Sequence, residues 1–275
     1  MKQIFRGLLF AISLAAFVSL TARSETIHYW DDVDFADRAV LSDVGAMEER
    51  VEAYLTLLRP VASEDVLAGE FHELLSKARE NEGAFELVTR LMEIALFSLD
   101  STLRDEERYL VFLNEWKKVG CLDQVEALIL DDKIEMVGKN RVGTLATDFC
   151  YTTPDGTRRT LMGSLPPEGA DLLLLFFDPD CDSCKETIEA MKRDKTLASD
   201  VLQEPLQVLA VYPGDNEQSW RRKLKDMPAD WTVGINFNQI EDGDLYFFPE
   251  MPTIYILDGK GTIKQKDIRI LAEDD

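Results

Sequence analysis

The 275-residue sequence predicts an α/β domain, a sheet covered by helices, preceded by a small all-α domain. Two observations support this class. Apolar residues recur at helical spacing from residue 46 to about 136, and predicted strands alternate with helices after that point. The pattern changes near Gly138 and Gly143. We therefore predict a helical domain at 25–137 and a second domain at 138–275.

The first 24 residues have the composition of a secretory signal peptide. Lys2 and Arg6 precede an uncharged apolar stretch at 8–20, and small residues follow it. This stretch is short for a membrane span, with an uncleaved N-terminal anchor as the alternative. We therefore expect an exported, periplasmic protein and exclude residues 1–24 from the fold.

The remaining sequence is strongly acidic. Residues 25–275 hold 27 basic and 52 acidic side chains, a net charge of −25. The excess is larger in the helical part, with −16 for 25–135 and −9 for 136–275. Such a surface repels nucleic acid and favours basic partners. With only two histidines, His28 and His72, zinc and copper sites built on imidazole are disfavoured, and we expect no metal and no cofactor.

Four amphipathic helices are predicted in the helical domain. Pro60 ends the first, and Ser63 caps the second with Glu64 and Asp65 in its first turn. No polar constellation converges on their apolar faces, so we expect these faces to form a core. The apolar residues are Val51, Tyr54, Leu55 and Leu58; Leu67, Phe71, Leu74, Leu75 and Ala78; Phe85, Val88, Met92, Ala95 and Leu96; and Tyr109, Phe112, Leu113 and Trp116.

The second domain reads as strands and helices in alternation. Asp155 and Gly156 mark a hairpin between two short strands. Residues 172–177 are continuously apolar, as expected for a strand buried on both faces. The other predicted elements are a helix from about 183, a strand at 206–212, a helix at about 220–225, and strands at 253–257 and 262–268.

The candidate site is the pair Cys181 and Cys184, which follows the apolar strand at the start of a helix. The free N–H groups and positive dipole end of a helix stabilise a thiolate on the first cysteine. Two intervening residues place the second sulfur one turn along, where a disulfide can close or open. This predicts Cys181 as the attacking thiol and Cys184 as the resolving thiol, with an inert structural disulfide as the alternative.

Two further cysteines flank the predicted domain boundary. Cys121 and Cys150 could form a structural disulfide in an oxidising compartment, or they could be two buried thiols. The sequence leaves both open, because it does not fix their Cα separation.

Several motifs between about 140 and 270 occur in a recognisable order. They are Gly143 with Ala146-Thr147-Asp148-Phe149, Asp155-Gly156, Phe177-Asp178-Pro179-Asp180-Cys181-Asp182-Ser183-Cys184-Lys185, and Met251-Pro252-Thr253-Ile254-Tyr255. This set resembles the thioredoxin superfamily, and most closely its extracytoplasmic thiol–disulfide oxidoreductases of the TlpA/ResA kind. With the helical region, including His28-Tyr29-Trp30-Asp31 and residues 101–107, the chain is similar to an uncharacterised family of exported Bacteroidetes proteins. Those proteins pair a helical domain of unknown function with a thioredoxin-like domain.

The resemblance implies a thioredoxin-like sheet and a thiol–disulfide oxidoreductase. It places the redox pair on Cys181 and Cys184 and the cis-proline on Pro252. A cis bond there would expose the backbone of Met251 to a substrate peptide beside the disulfide. The implied partners are protein disulfide substrates and a membrane or periplasmic electron donor.

The sequence departs from the family pattern around the redox pair. Asp180 stands where an aromatic residue is usual, Ser183 where proline is usual, and Leu175 where thioredoxins have a buried acid. We interpret Asp178 as a candidate for proton transfer. The carboxylates around Cys181 oppose thiolate formation, with Lys185 as the only nearby cation in the sequence. This favours a reductant or isomerase over an oxidase. The rival interpretation is a non-enzymatic binding protein with a thioredoxin-like scaffold and an acidic helical domain that recognises a partner.

Overall fold

The structure of the chain is a computed structural model that describes the following residues: 27–120, 122–193, 206–266, 268 and 270. The predicted signal peptide and Cys121 lie outside these residues. Within the described ranges, no helix is both long enough and apolar enough to cross a bilayer.

The N-terminal part is built from helices that begin at polar capping residues. Each capping side chain, from Asp, Ser or Asn, accepts a backbone N–H from the first turn and so satisfies a donor without an intrahelical partner. The helices are α1 (Arg38–Ser42), α2 (Val44–Leu58), α3 (Glu64–Ala78), α4 (Glu82–Phe97), α5 (Glu106–Val119) and α6 (Gln124–Val137). The predicted cap at Ser63 is confirmed.

An aromatic chain runs through the helical core. Tyr54, Phe71 and Phe112 are fully buried, with ring centroids 6.4 Å apart for the first two and 5.7 Å for the last two. Trp30, which precedes the helices, contacts Tyr54 at 5.2 Å. The apolar stripes therefore form a core, and the segment before α1 belongs to it.

The C-terminal part contains a seven-stranded sheet within the described residues, in the order β2-β1-β5-β4-β3-β6-β7. β3, β4 and β5 are parallel neighbours, and the other neighbouring pairs are antiparallel. The strands are β1 (Cys150–Thr152), β2 (Arg158–Thr160), β3 (Asp171–Phe176), β4 (Leu206–Tyr212), β5 (Thr232–Ile235), β6 (Thr253–Leu257) and β7 (Ile263–Lys266). The helices are α7 (Asp182–Arg193), α8 (Glu217–Lys223) and α9 (Gln239–Asp242).

The central strand β3 is buried along its whole length, as predicted. Successive side chains of a strand point to opposite faces. Leu173 and Leu175 therefore pack with α7 and α8, whereas Leu174 and Phe176 pack in a second core on the other face. The two cores explain why the sequence here is continuously apolar rather than alternating.

The pairing of β3 and β4 positions the site. In their parallel register Phe176 lies opposite Val211, so both strands end at the same edge of the sheet. The residues that follow β3 and the last residue of β4, Tyr212, are consequently neighbours. The cysteine pair lies at this edge.

The predicted fold class, a sheet covered by helices with an all-α region before it, is confirmed. The elements that were not predicted individually from the sequence are α1, α6, β5 and α9. We keep the boundary between residues 137 and 138 as a proposal. It is supported by the end of α6 at Val137 and by apolar cores that share no residue across it.

Candidate functional site

Cys181 and Cys184 lie at the start of α7, on the loop that leaves β3. Cys181 is partly exposed and directly precedes the helix, whereas Cys184 is completely buried. The backbone N–H of Cys184 donates to Cys181 Sγ at 3.2 Å. The N–H of Asp178 donates to Cys184 Sγ at 3.4 Å. Both sulfurs therefore accept backbone hydrogen bonds, and Cys181 occupies the position of a helix N-cap.

The two thiols differ in environment. Burial raises the pKa of the Cys184 thiol well above its usual range, and the hydrogen bond and charge of Cys181 raise it further. The N–H of Asp178 acts in the opposite direction, but less strongly. Cys184 is thus a protonated thiol near neutral pH, while Cys181 is the sulfur that an incoming molecule can reach.

The loop before β6 lies against the outer cysteine. The Met251–Pro252 peptide bond is cis, as the resemblance implies. Cys181 Sγ donates to the carbonyl oxygen of Met251 at 3.5 Å. Thr253 Oγ1 donates to the carbonyl of Glu250 at 2.5 Å, which ties the loop to the beginning of β6. The structure therefore brings Met251 and Pro252 to the cysteine pair across 70 residues of sequence.

Asp178 and Asp180 are held by specific hydrogen bonds. Asp178 Oδ1 accepts the N–H of Asp180 at 2.7 Å, and Asp180 Oδ2 accepts from Ser219 Oγ at 2.7 Å. The guanidinium of Arg222 in α8 lies 4.0 Å from Asp180 Oδ1. The prediction from the sequence, in which Lys185 is the only nearby cation, therefore omits a cation beside Asp180. The fold brings a second cation from 42 residues away, which a local reading of the motif does not reveal.

Tyr212 is a residue of the site that the sequence analysis did not select. Burial raises the pKa of Tyr212, and the charge of Asp178 raises it further, while the N–H of Asn216 opposes this. The Tyr212 ring lies 6.3 Å from that of Phe177, the residue before Asp178. Gly214 makes room for Tyr212, because a Cβ there would lie 2.4 Å from the Tyr212 oxygen. The sequence contains one indication of this: 206–212 is a predicted strand, and its last residue lies next to the cysteine loop if that strand pairs in parallel with the strand before the cysteines.

The remaining cysteine of the described residues lies in a strand and not in the loop that carries the other two. Cys150, in β1, is a partly buried free thiol. Its carbonyl accepts from Asn236 Nδ2 at 2.6 Å, which joins β1 to the end of β5. The alternative of a disulfide to Cys121 falls partly outside the described residues.

One group of potential metal ligands lies in the helical domain. His28, Asp31 and Glu73 bring one ligand atom each to within 4.8 Å of one another. The ammonium of Lys77 lies 2.6 Å from Asp31 Oδ1 and 3.5 Å from Glu73 Oε1. It holds the pKa of Asp31 below its usual range through this hydrogen bond. The charge that the carboxylates would offer a metal ion is already partly neutralised by this lysine.

Comparison with known proteins matches both parts of the chain. Residues 25–140 match DUF5106, a domain of unknown function. A thioredoxin-like protein from Bacteroides caccae is 27% identical and has a similar structure, with a TM-score of 0.78 over 88% of this chain and 87% of that chain. No protein with a curated description matches.

Two structures from Bacteroides fragilis match the C-terminal part. One, the C-terminal domain of an uncharacterized protein, is 30% identical over 48% of this chain and 92% of that chain, with a TM-score of 0.43. The other, a conserved protein of unknown function, is 32% identical over 47% and 93%, with a TM-score of 0.41. The sheet topology, the cysteine pair beside a cis-proline and the match to the Bacteroides caccae structure over 88% of this chain lead to one conclusion. The chain has a thioredoxin-like fold, and residues 25–140, which precede its sheet, match DUF5106.

Proposed function

We propose that the chain is an exported thiol–disulfide oxidoreductase that acts on protein substrates through Cys181 and Cys184. One observation supports this most directly. A reachable sulfur at a helix start accepts an N–H from the buried second cysteine and lies 3.5 Å from the Met251 carbonyl. A helix start favours the thiolate, and an exposed backbone beside it offers a docking edge to an extended peptide.

The chemistry is an exchange in two steps. The Cys181 thiolate attacks one sulfur of a substrate disulfide, forming a mixed disulfide while the other substrate sulfur leaves as a thiolate. Cys184 then loses its proton and attacks Cys181 Sγ. The Cys181–Cys184 disulfide forms and the second substrate sulfur leaves. Two electrons pass from the dithiol to the substrate, so a membrane or periplasmic donor of two electrons must reduce the pair again.

Asp178 is our candidate for accepting the Cys184 proton. Its own N–H contacts Cys184 Sγ, and its charge acts on both Cys184 and Tyr212. Asp178→Asn should therefore slow the second step more than the first, so that mixed disulfide accumulates in a quenched-flow reaction. Asp182→Asn, which removes a neighbouring exposed carboxylate, is the matched control. Equal slowing of both steps in the Asp178 variant would contradict this role.

The direction that we propose is reduction or isomerisation. Asp178, Asp180 and Asp182 lie within three residues of the attacking sulfur in the sequence. We expect their negative charge to make the Cys181–Cys184 disulfide harder to reduce than the disulfide of a strong oxidant. Arg222 offsets part of this charge at Asp180. We therefore expect a low reduction potential for the Cys181–Cys184 disulfide. Without the cation beside Asp180, the potential would be lower still.

Limited alkylation and a single-turnover reaction test the function. Reduced protein treated with limiting iodoacetamide should be labelled at Cys181 well before Cys184, because Cys184 is buried and protonated. The pre-reduced protein should also reduce the disulfides of insulin stoichiometrically without added thiol. Equal or reversed labelling, or no insulin reduction, would overturn the proposal.

A second candidate function, partner binding by the helical domain, is favoured by an exposed apolar surface on α6. Val125, Leu128 and Ile129 are 63%, 58% and 53% exposed. Ile129 also lines a cavity of about 470 Å³, together with Phe85 and Trp116. Contiguous apolar patches of this kind mark interaction sites.

The charge of the region indicates the kind of partner. Glu82, Glu86 and Glu126 line the same cavity, and the ammonium of Lys133 is held by Glu93 at 2.6 Å. The matching partner is therefore a basic amphipathic helix. A synthetic helix of leucine and lysine should bind the protein and lose affinity when Leu128 becomes Asp. If Cys181 also resists alkylation and insulin is not reduced, this becomes the primary function.

A further inference from the structure

The segment between α9 and β6, residues 243–252, carries aromatic side chains in alternating directions. Tyr246 and Phe248 pack into the sheet core, with ring centroids 5.0 and 4.8 Å from that of Phe176. Phe247 points the other way and stacks on Phe97 of the helical domain, at 6.1 Å and an interplanar angle of 17°. This segment, which we call the docking loop, is thus held from both sides.

Phe97 is itself held by several contacts within the helical domain. It lies at the end of α4 and stacks on Tyr109 of α5 at 4.9 Å. The guanidinium of Arg104 lies over its ring at 5.1 Å and donates to its carbonyl oxygen. Arg104 also pairs with Glu106, which binds Lys266 of β7 at 2.5 Å with both side chains almost buried. Contacts with Tyr109 and Arg104 therefore hold Phe97 at the position where it stacks on Phe247.

The beginning of the docking loop is held by the segment that follows α6. Asn140, which is buried, donates from Nδ2 to the carbonyl oxygen of Leu245 at 2.8 Å, while its Oδ1 accepts the N–H of Thr147 at 2.8 Å. The preceding residue, Lys139, forms an ion pair with Asp244. These bonds tie the loop to the junction between the two domains.

The docking loop ends at the reactive sulfur. Phe247 is four residues before Met251, whose carbonyl oxygen lies 3.5 Å from Cys181 Sγ. Loops depend on such contacts for their geometry, because they lack the regular hydrogen bonding of helices and strands. A displacement of Phe247 would therefore move the backbone of Met251, which a substrate peptide is expected to contact.

We propose that the DUF5106 helical domain positions the docking loop for protein substrates, with Phe97 and Phe247 as positioning residues. The inference rests on the proposed function, and it assigns the helical domain a role in the affinity of the cysteine site for a polypeptide. A small disulfide, which needs no backbone docking, should be insensitive to it.

Kinetics on two substrates test the proposal in the full chain. With dithiothreitol as the reductant that renews the dithiol, Phe247→Ala and the milder Phe97→Leu should raise the KM for insulin about 2- to 10-fold, the range expected for loss of one aromatic pair, with kcat unchanged. The reaction of the pre-reduced protein with a small linear disulfide, hydroxyethyl disulfide, should be unaffected. Leu145→Ala and Ile94→Ala, which shorten exposed apolar side chains in the same two domains, are matched controls. An unchanged KM, or an equal loss on both substrates, would overturn the proposal.

Hydrogen exchange gives a readout that is independent of activity. The amides of Phe247, Phe248, Glu250 and Met251 should exchange faster in both variants, while those of β3 should not change. If the wild type fails to reduce insulin, the proposed function fails, but the exchange measurement still decides whether Phe97 positions the loop. Unchanged exchange in the docking loop would contradict the positioning role whatever the activity.

Discussion

The helices of the N-terminal domain and the helix at the cysteine pair satisfy the same backbone requirement with different atoms. In α2–α6 an oxygen of Asp, Ser or Asn accepts a first-turn N–H. At α7 the acceptor is the sulfur of Cys181, which accepts the N–H of Cys184. Oxygen at such a position stabilises the helix. Sulfur there can also become an anion that the helix dipole favours. The comparison teaches that the proposed reactive group occupies an ordinary capping position.

Substitution of Cys181 should separate these two roles. Cys181→Ser and Cys181→Ala should both abolish insulin reduction, because neither retains a thiol. Serine provides an oxygen that can cap the helix, and alanine does not. The alanine variant should therefore have an unfolding free energy about 1 kcal/mol lower than that of the serine variant. Urea denaturation of the reduced proteins measures the difference. Equal stabilities of the two variants would mean that position 181 is not a capping position.

The two domains also differ in how they use carboxylates. Near Cys181 the carboxylates are proposed to affect the redox potential, whereas in the helical domain a buried carboxylate forms ion pairs that stabilise the fold. Glu106 is buried between Arg104 and Lys266. Glu106→Gln should cost about 3–5 kcal/mol, because it leaves buried positive charge without its partner. Glu107→Gln, one residue along, breaks the more exposed pair with Arg141 and should cost no more than about 1 kcal/mol. Thermal denaturation followed by circular dichroism would measure both, and similar losses would contradict the distinction.

The buried thiol should make the reduced protein sensitive to alkaline pH. Burial raises the pKa of Cys184 above its ordinary value of 9.0, so the folded state keeps a proton that the unfolded state releases. The stabilisation is complete below pH 9 and is lost as pH rises, by about 1.4 kcal/mol per pH unit. Reduced wild type should therefore lose stability between pH 9 and 10 faster than reduced Cys184→Ala. Parallel curves would show that Cys184 does not titrate abnormally.

The exposed carboxylates near Cys181 should have the smallest effect. Asp180→Asn with Asp182→Asn should make the disulfide more oxidising, and Arg222→Ala should make it less so. Each shift should be roughly 5–20 mV, because these side chains are largely exposed and solvent screens their charge. Redox titration against glutathione would measure them. A shift of the same sign in both variants would contradict the electrostatic explanation.

Much of the fold could be predicted because its signals are local. The apolar stripes of α2–α5, the cap at Ser63 and the continuous apolar run of β3 each follow from a short window of sequence. β5 and α9 were not predicted. β5 is only four residues long, and its Gly234, usually a strand breaker, is needed because a Cβ would lie 2.3 Å from Tyr151.

The part of the site that lies within the cysteine motif and the Met251-Pro252 motif was predicted from the sequence. Cys181, Cys184, Asp178 and Met251 come together in the structure, although the roles that we assign to them stay predictions. Tyr212 and Arg222 reach the site through the parallel pairing of strands and through α8. Such contacts depend on the assembled fold, so the pattern around the cysteines does not contain them.

The capping position of Cys181 has an evolutionary consequence. A codon change from cysteine to serine would remove the chemistry and leave the helix start, the docking loop and the three apolar cores intact. Such a descendant could retain its partners while it ceased to exchange electrons with them. In this architecture an enzyme and a binding protein are one substitution apart, and inheritance of the fold does not ensure inheritance of the activity.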